Sequence, residues 1–540
     1  MLLFLQPLSA IRRCMMLYRS FATVGGLTMI SRALGFIRDI LIAAALGSGF
    51  VADAFFIAFR FPNLFRRLFG EGAFNAAFVP LFARRLEEQG EEPAHRFAEN
   101  AMSGLGFVLL IFSAVAMLAM PWLMLILAPG FTNEPEKFDL SVALTRIAFP
   151  YLFCMSLVAL LSGVLNTYNR FWAAAAAPIV LNIVLISAII LTIAGGYANR
   201  VESGFILATG VTIAGFMQLA MLWYAVRRAG IRLSFHLPRY NAGIKRLIKL
   251  GIPGIISGGI TQINIVIGTI IASLQAGAVS FLYYADRLYQ LPLGIVGIAI
   301  GVVLLPELSR KLRSGDMAAV HESQNRSLEF ALLLTLPAAI ALAIAAQPII
   351  SVLFERGAFT AADTAATAQA LIAFAIGLPA FVLIKVFQPA FFAREDTKTP
   401  MWFAGISMLV NVFGSLALFY WFKFGEDWMP MPHVGIAFAT SLAGWINALL
   451  LWRTLASSGA FVWERKLIWN LVVIALSSAL MGAVLITILP YISQLLIASG
   501  LIAVRILGLA ILVFSGVSAF FVFIMLAGQF RLRQLLRRGQ

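Results

Sequence analysis

The chain has 540 residues, 61% of them apolar and only 12% charged, with a mean hydropathy of +0.93. Soluble globular domains carry about 25% charged residues, so these figures exclude one and indicate an integral membrane protein. A net charge of +16 would suggest nucleic acid in a soluble protein. In a membrane protein such charge gathers in cytoplasmic loops, so no nucleic-acid partner is expected.

Residues 1–20 read as an N-terminal extension, with Met15 or Met16 as an alternative start. The apolar run after Arg12, Arg13 and Arg19 is interrupted by charges and lacks a small-residue cleavage site, which argues against a cleaved signal peptide. Apolar runs then predict fourteen helices. They lie at 21–47, 51–84, 102–128, 138–166, 172–195, 203–227, 244–275, 279–311, 326–354, 364–393, 399–424, 433–455, 467–493 and 498–528. The expected fold is an all-α integral membrane protein with 14 transmembrane helices. The second and eighth runs exceed a single crossing, which implies tilt or an extension beyond the bilayer.

Loop charge sets the orientation. The segment 227–249 carries Arg227, Arg228, Arg232, Arg239, Lys245, Arg246 and Lys249, and the C-terminal tail carries Arg531, Arg533, Arg537 and Arg538. With fourteen spans, these and the basic N-terminus share one side, the cytoplasm, while the net acidic segment 129–140 lies opposite. Both termini are therefore expected in the cytoplasm.

The chain repeats itself at a spacing near 227 residues. "GFT" at 130–132 returns as "GAFT" at 357–360, and "FVPLFARRL" at 78–86 as "LLPELSRKL" at 304–312. The polar turn 166–171 is matched by another at 394–400. Six helices per copy is an even number, so this parallel repeat implies two six-helix lobes in the same orientation, with a site expected at their interface. The expected organisation is an N-terminal lobe at 21–228, a cytoplasmic linker and second lobe at 229–456, two extra helices at 457–528, and a basic tail at 529–540.

Charges lie inside the apolar runs. Helix one holds Arg32, Arg38 and Asp39 in "SRALGFIRD". Helix two holds Asp53, Arg60, Arg66, Arg67 and Glu71 in "DAFFIAFRFPNLFRRLFGEGAF", and helix eight holds Asp286 and Arg287 in "YYADRLYQLP". Each such charge costs about 2.5–3.5 kcal/mol to insert at mid-membrane, so it normally faces a partner or a cavity. Arg67 and Glu71, four apart, either pair along the helix or act in a site. Asp53 either caps helix two or has a functional role. Arg60 can snorkel in part. Arg32, Arg38, Arg66 and Arg287 outnumber the nearby acids and indicate an anion-binding cavity. The planar guanidinium suits a phosphate group, through paired, charge-assisted hydrogen bonds. Gly35 and Pro62 beside these arginines are expected to bend their helices.

No enzyme constellation is present: there is no GxSxG, no Walker A loop and no His/Cys ligand cluster. Cys14 and Cys154 lie far apart, and His95, His236, His321 and His433 fall in predicted loops. No metal or cofactor is expected.

The three quoted motifs, in that order on a fourteen-helix chain, closely resemble the MurJ (MviN) family of the MOP exporter superfamily, from about Met15 onward. The resemblance implies a lipid II flippase for peptidoglycan biosynthesis in the bacterial inner membrane. Such a protein moves the undecaprenyl-pyrophosphate-linked precursor from the cytoplasmic to the periplasmic leaflet by alternating access. It implies a V-shaped pair of lobes around a cationic cavity, with Arg32, Arg38, Arg66 and Arg287 on the pyrophosphate. Asp39, Asp53, Arg60 and Glu71 are implied as supporting or switching residues, and the last two helices as a groove for the lipid tail. The family usually has lysine where this chain has Arg60. Some members bind sodium through carboxylates of helices seven and eleven, but helix seven here has no acid, and Asn411, Ser415 and Thr440 offer neutral oxygens. Membrane lipids and cell-wall synthesis or division proteins are the other partners implied, with the chain a monomer. Competing readings are an O-antigen flippase or a multidrug exporter of the same superfamily, and, from another class, a non-transporting scaffold for cell-wall enzymes.

Overall fold

In a computed structural model, which describes residues 6–66, 73–424, 431–496 and 500–527, the chain forms eighteen α-helices among the described residues. The first nine are α1 (Gln6–Leu46), α2 (Phe50–Phe65), α3 (Ala73–Gln89), α4 (Glu91–Leu118), α5 (Met120–Leu127), α6 (Pro135–Ala148), α7 (Pro150–Thr167), α8 (Trp172–Ala194) and α9 (Val201–Arg228). The rest are α10 (Ala242–Ala272), α11 (Ala278–Arg313), α12 (Met317–Ile344), α13 (Ala346–Phe354), α14 (Ala361–Phe392), α15 (Lys398–Phe424), α16 (Pro432–Ser457), α17 (Arg465–Ile492) and α18 (Ile502–Leu526). Ten spans among the described residues are long and apolar enough to cross a membrane, counting α6 and α7 as one. At 16 residues, α2 alone reaches only about 24 Å, short of a full crossing.

Most predicted helices return within a few residues. The first differs at its N-terminal end, where the helix already runs from Gln6. Three others that read as single helices are broken. The 102–128 run divides at Ala119, the 138–166 run at Phe149 and the 326–354 run at Ala345. Pro121, Pro150 and Pro348 stand one to three residues beyond these breaks. A proline there removes one amide and disfavours helical geometry just before it, so the preceding helix ends and a new one begins. The predicted helix at 51–84 appears as α2 and α3, with residues 67–72, and so Arg67 and Glu71, outside the described residues.

By packing, the chain divides into two units, residues 1–270 and 271–540; the sequence pattern is expected to divide it after residue 228. In the first unit α2 packs on α6, α3 on α4 and α7, α4 on α7, α6 and α7 on α9, α8 on α9, and α1 on α8. In the second, α11 packs on α12 and α14, α12 on α14, α14 on α16, α15 on α16, and α17 on α12 and α18. Some contacts need a missing side chain: a Cβ on Gly435 would stand 2.8 Å from the Leu418 backbone. The segment after α9 is strapped to α4. The Ser234 amide and hydroxyl both donate to Glu99 Oε1 at 2.8 Å, the His236 amide donates to Ser103 Oγ at 3.2 Å, and Phe235 stacks on Trp223.

Candidate functional site

On α1, Arg38 is only 5% exposed and Asp39 2%. A charged pair that deep must satisfy itself locally. Arg38 Nε and Nη2 both donate to Asp39 Oδ1, at 3.1 and 2.8 Å, and Nη1 donates to Asn182 Oδ1 of α8 at 2.9 Å. Asn182 Nδ2 in turn donates to the Ser31 carbonyl at 2.9 Å, which ties α8 to α1 about two turns before Arg38. Gly35 faces this same asparagine, 3.5 Å from where its Cβ would be. The guanidinium also lies 5.8 Å from the centre of the Phe59 ring on α2. Arg32, one and a half turns earlier, is exposed on α1.

On α2, Asp53 sits in the first turn rather than at the cap position. The N-cap is Gly49, with no side-chain hydrogen bond. The Asp53 carboxylate is fully buried and accepts from Lys137 Nζ of α6 at 3.0 Å. Lys137 is itself 1% exposed and lies 4.4 Å from the centre of the Phe131 ring, a cation–π contact that adds to the ion pair. Arg60 donates to Thr269 Oγ1 of α10 at 3.3 Å. Arg66 follows the last residue of α2, and its Nε donates to Asn63 Oδ1 at 3.0 Å.

In the second unit, Arg287 Nη2 donates to Tyr283 Oη at 2.8 Å, and its guanidinium stands over that ring at 4.8 Å. Its neighbour Asp286 accepts from Gln290. Asn411, Ser415 and Thr440 come together, with both hydroxyls donating to Asn411 Oδ1, at 3.2 and 3.1 Å. No carboxylate occurs on α10, α15 or α16. This hydrogen-bonded group of neutral oxygens suits helix packing and is a poor match to a sodium site built on acids.

The structure thus joins Arg38 to Asp39 and gives Asp53, Arg60, Arg66 and Arg287 separate partners. It adds Lys137 and Asn182, which the sequence reading missed. Lys137 stood among Glu134, Glu136 and Asp139 as one cation in an acidic segment, and nothing local marks it as buried. Asn182, in a helix otherwise free of polar side chains except Ser187 and Thr192, was the more visible signal.

The model of the lipid II flippase MurJ family matches residues 42–525, which include Arg66 and Arg287 and begin just after the helix-one motif. A probable lipid II flippase MurJ of Rhizobium tropici is 49% identical over 518 residues, covering 95% of each chain. A solved lipid II flippase MurJ in an inward closed conformation superposes with a TM-score of 0.76 at 27% identity, over 95% of this chain and 99% of the other. An inward-facing multidrug transporter of the MOP superfamily shares the fold, with a TM-score of 0.62 at 12% identity over 81% of this chain and 98% of the other. The chain belongs to the lipid II flippase MurJ family.

Proposed function

We propose that the chain moves lipid II from the cytoplasmic to the periplasmic leaflet by alternating access, with Arg32, Arg38, Arg66 and Arg287 as ligands of the pyrophosphate. It is a flippase for peptidoglycan biosynthesis and a transporter rather than an enzyme. Family membership along nearly the whole chain carries this reading. The site assignment rests on guanidinium chemistry, because arginines held inside apolar helices suit a diphosphate far better than a cationic drug. Asp39 orients Arg38. Asp53, with Lys137, fixes the start of α2. Arg60 and Glu71 complete the supporting group.

Fourteen crossings are proposed, counting α2 with α3, α4 with α5, α6 with α7, and α12 with α13 as one each, and both termini are placed in the cytoplasm. The parallel repeat is supported by the packing order. The α2–α6, α7–α9 and α8–α9 contacts have counterparts in α11–α14, α14–α16 and α15–α16. The helix breaks at Ala119 and Ala345 also stand at the repeat spacing. The last two helices are proposed to hold the lipid tail.

Arg38→Ala, Arg66→Ala and Arg287→Ala are each expected to abolish growth of a flippase-depleted bacterium while the protein still reaches the membrane. Normal growth of all three would remove the pyrophosphate assignment and favour a scaffold role. Mass spectrometry of copurified lipid separates lipid II from an O-antigen precursor.

A further inference from the structure

We propose that the first unit carries a second anion site, apart from the α1 and α2 arginines, which takes the phosphoryl group of an anionic lipid headgroup. A cavity of about 380 Å³ opens where α3 ends and α4 and α10 begin, lined by Arg85, Arg96, Phe97, Asn100, Asn241 and Gly243 among others. Arg85 lies beyond the apolar run of its helix. Its guanidinium rests on the Phe97 ring, 3.9 Å from the ring centre, which fixes its plane.

The neighbouring arginines differ in how their charge is met. Arg84 pairs with Glu88 at 2.8 Å, and Arg96 pairs with Glu92. Arg85 has no carboxylate partner among the described residues, and the neighbouring charge that acts on it is the cation of Arg246. Partial burial and that second cation both push its pKa below the ordinary arginine value, which marks a charge whose surroundings lack an anion. The opening turn of α10 borders the cavity, and Asn241 caps it by accepting from the Ile244 amide at 2.9 Å. Helix starts favour anions through their exposed amides and dipole. Gly243 lets this turn approach the guanidinium, since a Cβ there would stand 2.8 Å from Arg85 Nη1.

The surroundings favour a lipid over a soluble phosphate. Leu237 and Tyr240, immediately before the cavity, are 82% and 73% exposed. Apolar and aromatic side chains beside basic ones are the composition of the headgroup level of a bilayer. On the orientation proposed above this is the cytoplasmic leaflet. The binding chemistry itself is independent of what the α1 and α2 arginines do.

The test uses the full-length protein in phosphatidylcholine nanodiscs with increasing phosphatidylglycerol, read by melting temperature. Phosphatidylglycerol is expected to raise Tm. The apparent affinity should fall about fivefold in Arg85→Gln and again in Arg246→Gln, the contribution of one basic side chain at a headgroup. Arg84→Gln, one residue away and already paired, should titrate like the parent. Inorganic phosphate without anionic lipid is expected to leave Tm unchanged. Parent-like titration of both Arg85→Gln and Arg246→Gln would overturn the site. A full Tm rise with phosphate alone, lost in Arg85→Gln, would overturn the lipid as its ligand. Arg246 is exposed, so its variant is readable even where Arg85→Gln fails to fold.

Discussion

The two units share a packing order but not a core chemistry. Among the described residues of the first, Arg38, Asp39, Asp53 and Lys137 are all less than 9% exposed. Among the described residues of the second, the buried polar groups are neutral, among them Gln324, Asn325, Thr367, Asn411, Ser415 and Ser441, and the one charged side chain as deeply buried is Arg505 of α18. Arg505, outside the proposed repeat, donates to the Ser351 and Glu355 carbonyls. One helix arrangement can therefore be completed either by ion pairs or by neutral hydrogen bonds. The ionic version is the more demanding, since removing one partner strands a charge where water does not reach. The neutral version risks only one modest hydrogen bond at a time.

That contrast can be broken most directly at Lys137. Lys137→Met takes the ammonium from the buried Asp53 carboxylate and is expected to cost about 3–5 kcal/mol of stability, as for other broken buried pairs. Adding Asp53→Asn should restore most of it, measured by thermal unfolding in detergent. A double variant no more stable than the single one would show that the pair is not the unit that matters.

Asn182→Leu comes next, removing the acceptor of Arg38 Nη1 and the bond to Ser31. The expected loss is about 1.5–3 kcal/mol, the range for hydrogen bonds to charged groups. Smallest is Ser415→Ala in the second unit, expected near 0.6 kcal/mol, an average value for a side-chain hydrogen bond between membrane helices. If Ser415→Ala proved as damaging as Asn182→Leu, the proposed difference between the cores would not stand.

Much of the helix pattern was readable from hydropathy alone, because a crossing demands a long apolar run whatever its neighbours are. The interruptions were harder. Pro121, Pro150 and Pro348 do mark breaks, yet Pro62, Pro178, Pro337 and Pro379 sit inside unbroken helices. Proline removes one hydrogen bond in every case, and packing decides whether the helix continues. At the site, Arg38 and Asp39 announced themselves as adjacent charges in an apolar run. The partner of Asp53 did not. Lys137 lies 84 positions away in the sequence, in a segment whose charges all looked solvated, and only the packing of α2 on α6 brings the two together.

The strap that fastens residues 234–236 to α4 and α9 has a mechanical consequence. Among the described residues of the first unit, no helix packs along α10 extensively, so its start is located chiefly by the chain that leads into it. From His236, the last tied residue, to Asn241 at the helix cap, the backbone has five steps and can stretch to about 17 Å at most. The segment is a short leash with its post at Ser103. However α10 swings or slides, its first turn stays within that radius of α4, and lengthening the leash would loosen the swing without touching any arginine.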